Sequence, residues 1–194
     1  GNPLNDGAWT YEWQAGRQLK RMSHDGQALT FKYDHNGMRI QKVLEHDWYP
    51  ETTNYTYHGK LLTHMEVEYY DFDEVKHTDK LHFFYDAENL AAFVQYNNNV
   101  YEYVYNLHRD VVGLLDSTGT LVVEYRYDAW GRMVDVAGSL SDTLGKLNPI
   151  RYCGNIYDEE TELYYIQDRY FAPERMRFVF QRMHTVWTDP HAFT

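Results

Sequence analysis

The stretch L-T-F-K-Y-D-H-N-G-M-R at 29–39 is rewritten at 123–133 as V-E-Y-R-Y-D-A-W-G-R-M. Each copy alternates apolar and polar residues up to a Tyr-Asp pair, then places two spacers, a Gly and an Arg-containing pair. Alternation with period two describes a half-buried strand. The Asp can accept hydrogen bonds from nearby backbone N–H groups, and the Gly takes positive φ without steric cost. Asp34, Gly37, Asp128 and Gly131 are therefore structural turn residues joining two strands of a hairpin. A chain written this way is confined to antiparallel sheet.

Aligning the Tyr that opens each unit selects Tyr33, Tyr55, Tyr85, Tyr105 and Tyr127, at spacings of 22, 30, 20 and 22 residues by subtraction. Two copies are imperfect, with Asn89 and Arg109 where Gly stands elsewhere, and W-Q-A-G-R-Q-L (13–19) reads as a worn first copy. One hairpin is marginal in water, so successive copies must stack, each burying the face its neighbour leaves open. Turns at His24-Asp25-Gly26, Asn97-Asn98-Asn99 and Asp116-Ser117-Thr118-Gly119 fit the same meander. The long third spacing predicts an acidic insertion over 71–80, forming a longer hairpin or surface loop. Residues 139–149 lack alternation, offer Ser141 or Asp142 as an N-cap and end in Asn-Pro, which predicts a short helical connector. The fold class is all-β: a curved antiparallel sheet of hairpins with one short helical connector.

Composition narrows function. The 194 residues suffice for one substantial core, and 19 Tyr with 5 Trp suit pleated, half-wet surfaces. A net charge of -11 repels phosphate backbones, which argues against nucleic acid as a direct partner. No apolar run approaches the ~20 residues of a spanning helix, and no basic-then-apolar leader opens the chain, so membrane insertion is not expected. Its abrupt start at Gly1-Asn2-Pro3 and its end at Phe193-Thr194 suggest cuts through a longer polypeptide. The single Cys153 permits no internal disulfide and reads as a buried structural thiol.

The Tyr-Asp units, together with N-L-H-R-D-V-V-G-L-L-D (106–116), Y-D-A-W-G-R (127–132), G-K-L-N-P-I-R-Y (145–152) and Y-D-E-E-T-E-L-Y-Y-I-Q-D-R-Y-F-A-P (157–173), resemble the RHS or YD-repeat family, above all its RHS repeat-associated core. The resemblance divides the chain into degenerate repeats (1–103), core (104–180) and a tail (181–194). It implies a wall segment of a hollow shell that encloses a C-terminal toxin, in a secreted or cell-surface parent protein. The implied partners are that toxin cargo and the remaining shell repeats, with self-association through sheet edges. In many members the core also frees the toxin by aspartyl autoproteolysis. Here Ala172 stands where the family has Asp, Met176 where it has Gly, and Arg182 where members show a further Asp. Acid–base cleavage needs paired carboxyls, which leaves Asp158, Asp168 and Asp189 as the weak catalytic candidates and a non-catalytic scaffold as the main expectation.

Other chemistry is thin. The cluster Asp158, Glu159, Glu160 and Glu162 lacks calcium-loop spacing and reads as a solvated turn, with Arg169 as its structural partner. His108-Arg109-Asp110 cannot converge from one strand, and His64 with Glu66 offers two metal ligands at most. No metal or cofactor is implied. Rows of Tyr leave glycan binding or adhesion as an alternative function.

Overall fold

The computed structural model describes residues 2–16, 18–167 and 169–179. Twelve strands follow one another in a single antiparallel sheet, each paired with its sequence neighbours. They are β1 (Thr10–Gln14), β2 (Gln18–His24), β3 (Gln27–Tyr33), β4 (Arg39–Glu45), β5 (Glu51–His58) and β6 (Leu61–Tyr70). The sheet continues as β7 (Lys76–Tyr85), β8 (Ala91–Tyr96), β9 (Asn99–Tyr105), β10 (Val111–Leu115), β11 (Leu121–Tyr127) and β12 (Met133–Ala137). The chain then turns back through α1 (Leu144–Leu147) into a four-stranded sheet: β13 (Ile156–Asp158), β14 (Leu163–Ile166), β15 (Arg169–Ala172) and β16 (Arg177–Phe178).

The sheet is a meander because one turn recurs. At Asp34 the carboxylate accepts from the N–H groups of Asn36 and Met38, Gly37 N–H returns to the Asp34 carbonyl, and Gly37 sits at φ 83°. The same pattern repeats at Asp71, Asp86, Asn106, Asp116 and Asp128. The left-handed position is held by Glu74, Asn89, Arg109, Gly119 and Gly131 in turn. At Gly131 glycine has a second reason, since a Cβ there would overlap the Tyr152 ring. Two tight hairpins, at Asp25-Gly26 and Asn97-Asn98, have positive φ at both central residues, as right-twisted strands require.

Of the two alternatives for residues 71–80, the longer hairpin is found: Asp71–Val75 is the ordinary turn, and Lys76–Lys80 opens β7, which with β6 is ten residues long against five to eight for the other strands of the large sheet. One expectation is corrected: Tyr55 is not the repeat tyrosine. The aromatics at or next to the strand ends along one rim are Trp13, Tyr33, Tyr57, Tyr85, Tyr105 and Tyr127, and at each the pairing register slips by one residue. A two-residue turn at Gly59-Lys60 shortens the third unit, which shifts its tyrosine two places along.

These rim tyrosines form a ladder. Tyr33, Tyr85, Tyr105 and Tyr127 donate to the carbonyls of Leu19, Leu62, Ala91 and Val111 at 2.7–2.9 Å. Each acceptor is the residue paired with the previous rim aromatic. Each bond contributes about 1 kcal/mol and ties one hairpin to the next. The ladder breaks once, at Tyr57, whose buried hydroxyl has no partner among the described residues.

The segment after β12 packs on the apolar face of the large sheet. Leu144 and Ile150 join the cluster of Leu62, Leu81, Val94, Tyr103 and Tyr125, while Leu163, Tyr165 and Tyr170 join Leu19, Met22, Leu29 and Phe31. The connector is thus helical as expected, but Thr143 rather than Ser141 or Asp142 precedes it, and it is part of the core.

Candidate functional site

The clearest concentration of buried charge lies where β13 and its following turn meet β4. The bulge before Tyr33 turns Arg39 inward, and alternation then points Lys42 and Leu44 the same way. Arg39 is fully buried and grips the Asp158 carboxylate with both terminal nitrogens, at 2.5 and 2.9 Å. Its guanidinium lies among the Phe31, Tyr55, Tyr165 and Tyr170 rings, 4.6–5.8 Å from their centroids. Lys42 Nζ reaches Asp158 at 3.4 Å and both Glu160 oxygens at 2.8 Å. Burial acts to raise the Asp158 pKa, but Arg39 and Lys42 outweigh it and hold the carboxyl below its usual range.

The reading of 157–162 as a solvated turn is therefore wrong for its first half. Asp158 is 1% exposed because two cations of β4 reach it, 119 and 116 residues away in sequence. Glu159 pairs with Arg151 at 2.8 Å, and Glu162 remains outside. The partners of this turn are Arg39, Lys42 and Arg151, while Arg169 lies over the Phe178 ring at 4.1 Å.

Arg151 makes a second anchor. It is buried between the Tyr125 and Tyr157 rings and donates to the carbonyls of Gly145, Lys146 and Asn148, the acceptors that α1 leaves free at its end. Asn148, also buried, accepts from the Tyr103 hydroxyl at 2.6 Å and donates to Ile150 and Tyr125. A third tie joins Asp6 to Tyr11 and Arg175. There burial opposes ionisation, yet hydrogen bonds from Tyr11, the Trp9 and Ala8 N–H groups and Arg175 bring the Asp6 pKa to about 2.

A proton-transferring carboxyl works best with a pKa near the operating pH, whereas Asp158 is held ionised between two cations. Asp168, Asp189 and Arg182 lie outside the described residues. Ala172 is buried beside Leu163 and Tyr170. Met176 occupies the left-handed region at φ 52°, which explains why Gly suits that position. Asp34 and Asp128 hold their turns.

Cys153 departs from the buried-thiol expectation: it is exposed, at φ 50° in a tight turn whose N–H is bound to Asp110. Local desolvation and Asp110 push its pKa up to about 11, so it stays a thiol. His64 pairs with Glu66 at 3.2 Å and stacks on His82 across the strand pair. Among the described residues no group of three or more His, Cys, Asp or Glu could hold a metal ion, and no helix is long and apolar enough to cross a membrane. Sequence reasoning missed Arg39 and Lys42. The available signal was Lys42 sharing a strand face with Leu44.

Comparison with known proteins matches the geometry. The family model described as Teneurin YD-shell matches residues 4–192. The tRNA3(Ser)-specific nuclease WapA of Bacillus spizizenii is 36% identical over 182 residues, covering 92% of this chain and 7% of that protein. The tRNA nuclease WapA of Bacillus subtilis strain 168 is 37% identical over the same shares. Teneurin-m of Drosophila melanogaster is 26% identical over 70% of this chain and 5% of its own length. Among solved structures, the Photorhabdus luminescens Tc holotoxin pore superposes with a TM-score of 0.75 at 18% identity, over 92% of this chain and 9% of that one. The TcdB2-TccC3-Cdc42 crystal structure gives 0.73 at 20% identity, over 89% and 9%. The chain thus spans less than a tenth of each relative's length, and within that span the repeated turns, the twelve-strand sheet and the covering segment make it a member of the YD-shell family.

Proposed function

We propose that the chain is a non-catalytic wall segment of an RHS-type shell, within a secreted parent protein, that encloses a toxin cargo. The carrying observation is mechanical. Both halves of the large sheet bury their apolar face under residues 139–179, and Arg39–Asp158 and Arg151 fasten that cover in place. The nuclease names of the WapA relatives support a toxic cargo in the parent. The division at residues 103/104 is one of sequence pattern inside a continuous sheet, and the expected tail, 181–194, lies outside the described residues.

The test is protease protection in the full parent polypeptide. A wild-type cargo segment resists added protease, and Asp158→Ala shortens its survival. Equal, rapid digestion in both contradicts the shell reading. The same sample addresses self-cleavage: a single intact mass is expected, and a cut near residue 190 would restore Asp168 and Asp189 as catalytic candidates.

A second reading, glycan binding, is favoured by one patch. Trp48 and Phe72 make an exposed edge-to-face pair beside the stacked rings of Tyr49 and Tyr70. Trp48 fluorescence that stays flat across a broad sugar panel removes that reading.

A further inference from the structure

The two ends of the large sheet are finished differently. At the first, the chain covers its own edge: Tyr11 N–H donates to the Leu4 carbonyl at 2.9 Å, and Asn5 bridges Thr10. At the last, β12 pairs with β11 alone, and among the described residues nothing bonds to the backbone groups of its other side. The strand M-V-D-V-A carries exposed Val134, and exposed Trp130 lies in the turn before it. An open edge is a template for another strand unless something discourages it.

The one charge on β12 is Asp135, half exposed, with its nearest cation, Arg126, at 3.9 Å on the β11 side. Its effect is selective. In the register that pairs all five residues, a second copy running antiparallel would set Asp135 against Asp135. Like charges directly opposite destabilise a strand pair, and opposite charges stabilise it. A strand with Lys or Arg at that position would meet both the free backbone groups and the carboxylate.

We propose that the β12 edge is a docking site for an extended, cationic segment of a partner, added as a thirteenth strand with Lys or Arg opposite Asp135. The proposal is independent of what the shell encloses.

The probe is the acetylated, amidated peptide Thr-Val-Lys-Val-Thr at millimolar concentration, read by backbone amide NMR of the whole chain. Shifts are expected at Met133–Ala137, with slowed hydrogen exchange there. The Thr-Val-Glu-Val-Thr peptide should bind roughly fivefold more weakly, and Asp135→Lys should reverse that order. Three results would overturn the proposal: β12 outer amides already protected in the free protein, no movement at β12 with either peptide, or an order that ignores the charge swap. Shifts elsewhere in the spectrum of Asp135→Lys report whether the variant keeps its fold.

Discussion

The two halves of the large sheet are held to the same covering segment by opposite chemistry. At β4 the grip is a fully buried ion pair, Arg39 with Asp158, reinforced by Lys42 and Glu160. At β9–β11 it is largely neutral: Arg151 serves the backbone carbonyls of α1, and Asn148 links Tyr103 to Tyr125. Tolerance to substitution should differ accordingly. A buried charge with its partner removed keeps its desolvation cost, whereas removal of Arg151 leaves neutral carbonyls and the half-exposed Glu159 carboxylate, which water can solvate. The first half should therefore be brittle and the second forgiving.

Asp158→Ala should show the largest effect. It strands Arg39 in an aromatic cage and should cost about 3–5 kcal/mol, a drop in Tm on the order of 10 °C for a chain of this size. Arg151→Met should cost about 2 kcal/mol, because three carbonyls lose a donor while the methionine keeps contact with Tyr125 and Tyr157. Thermal unfolding of the two variants side by side checks the order, and equal losses would remove the distinction between the halves.

Acid should act on the same asymmetry. Asp158 and Asp6 have folded-state pKa values depressed below the ordinary carboxyl value of 3.8, Asp6 to about 2. Groups of this kind contribute stability that is present above the unfolded value and lost as pH falls through the folded one. Between pH 4 and pH 2 the first half should loosen ahead of the second, seen as earlier loss of amide protection in β1–β5 than in β8–β11.

The tyrosine ladder allows a finer comparison. Tyr85→Phe, Tyr105→Phe and Tyr127→Phe each remove a hydroxyl bonded to a carbonyl and should cost about 1 kcal/mol. Tyr57→Phe removes a buried hydroxyl that has no partner among the described residues and should be neutral or stabilising. Similar in size and opposite in sign to the ladder losses, Arg109→Gly and Met176→Gly relieve left-handed backbone at φ 65° and 52°, for a gain of about 1 kcal/mol each. Chemical denaturation resolves effects of this size, and a loss at either glycine variant would point to contacts of the native side chain.

The turns were the most legible feature, because their chemistry is local. Asp34 and Asp128 announce themselves by the Gly three residues on. Asp71 escaped notice because Glu74 takes that place, and the true third repeat tyrosine, Tyr57, was hidden by a two-residue turn. The covering segment was legible only as a break in alternation. Its energetics were not, since Asp158 depends on Arg39 and Lys42, which no local pattern connects to it. Cys153 misled for a similar reason: its exposure follows from a strained turn tied to Asp110.

The most direct test of the account is a double-mutant cycle on Arg39→Met and Asp158→Leu, followed by denaturant unfolding of all four proteins. If the ion pair fastens the cover to the wall, the singles are each strongly destabilised and the double recovers much of the loss, with a coupling of about 2 kcal/mol or more. Losses that simply add, within about 0.5 kcal/mol, would mean that Arg39 and Asp158 are held by their surroundings and do not hold the two sheets together.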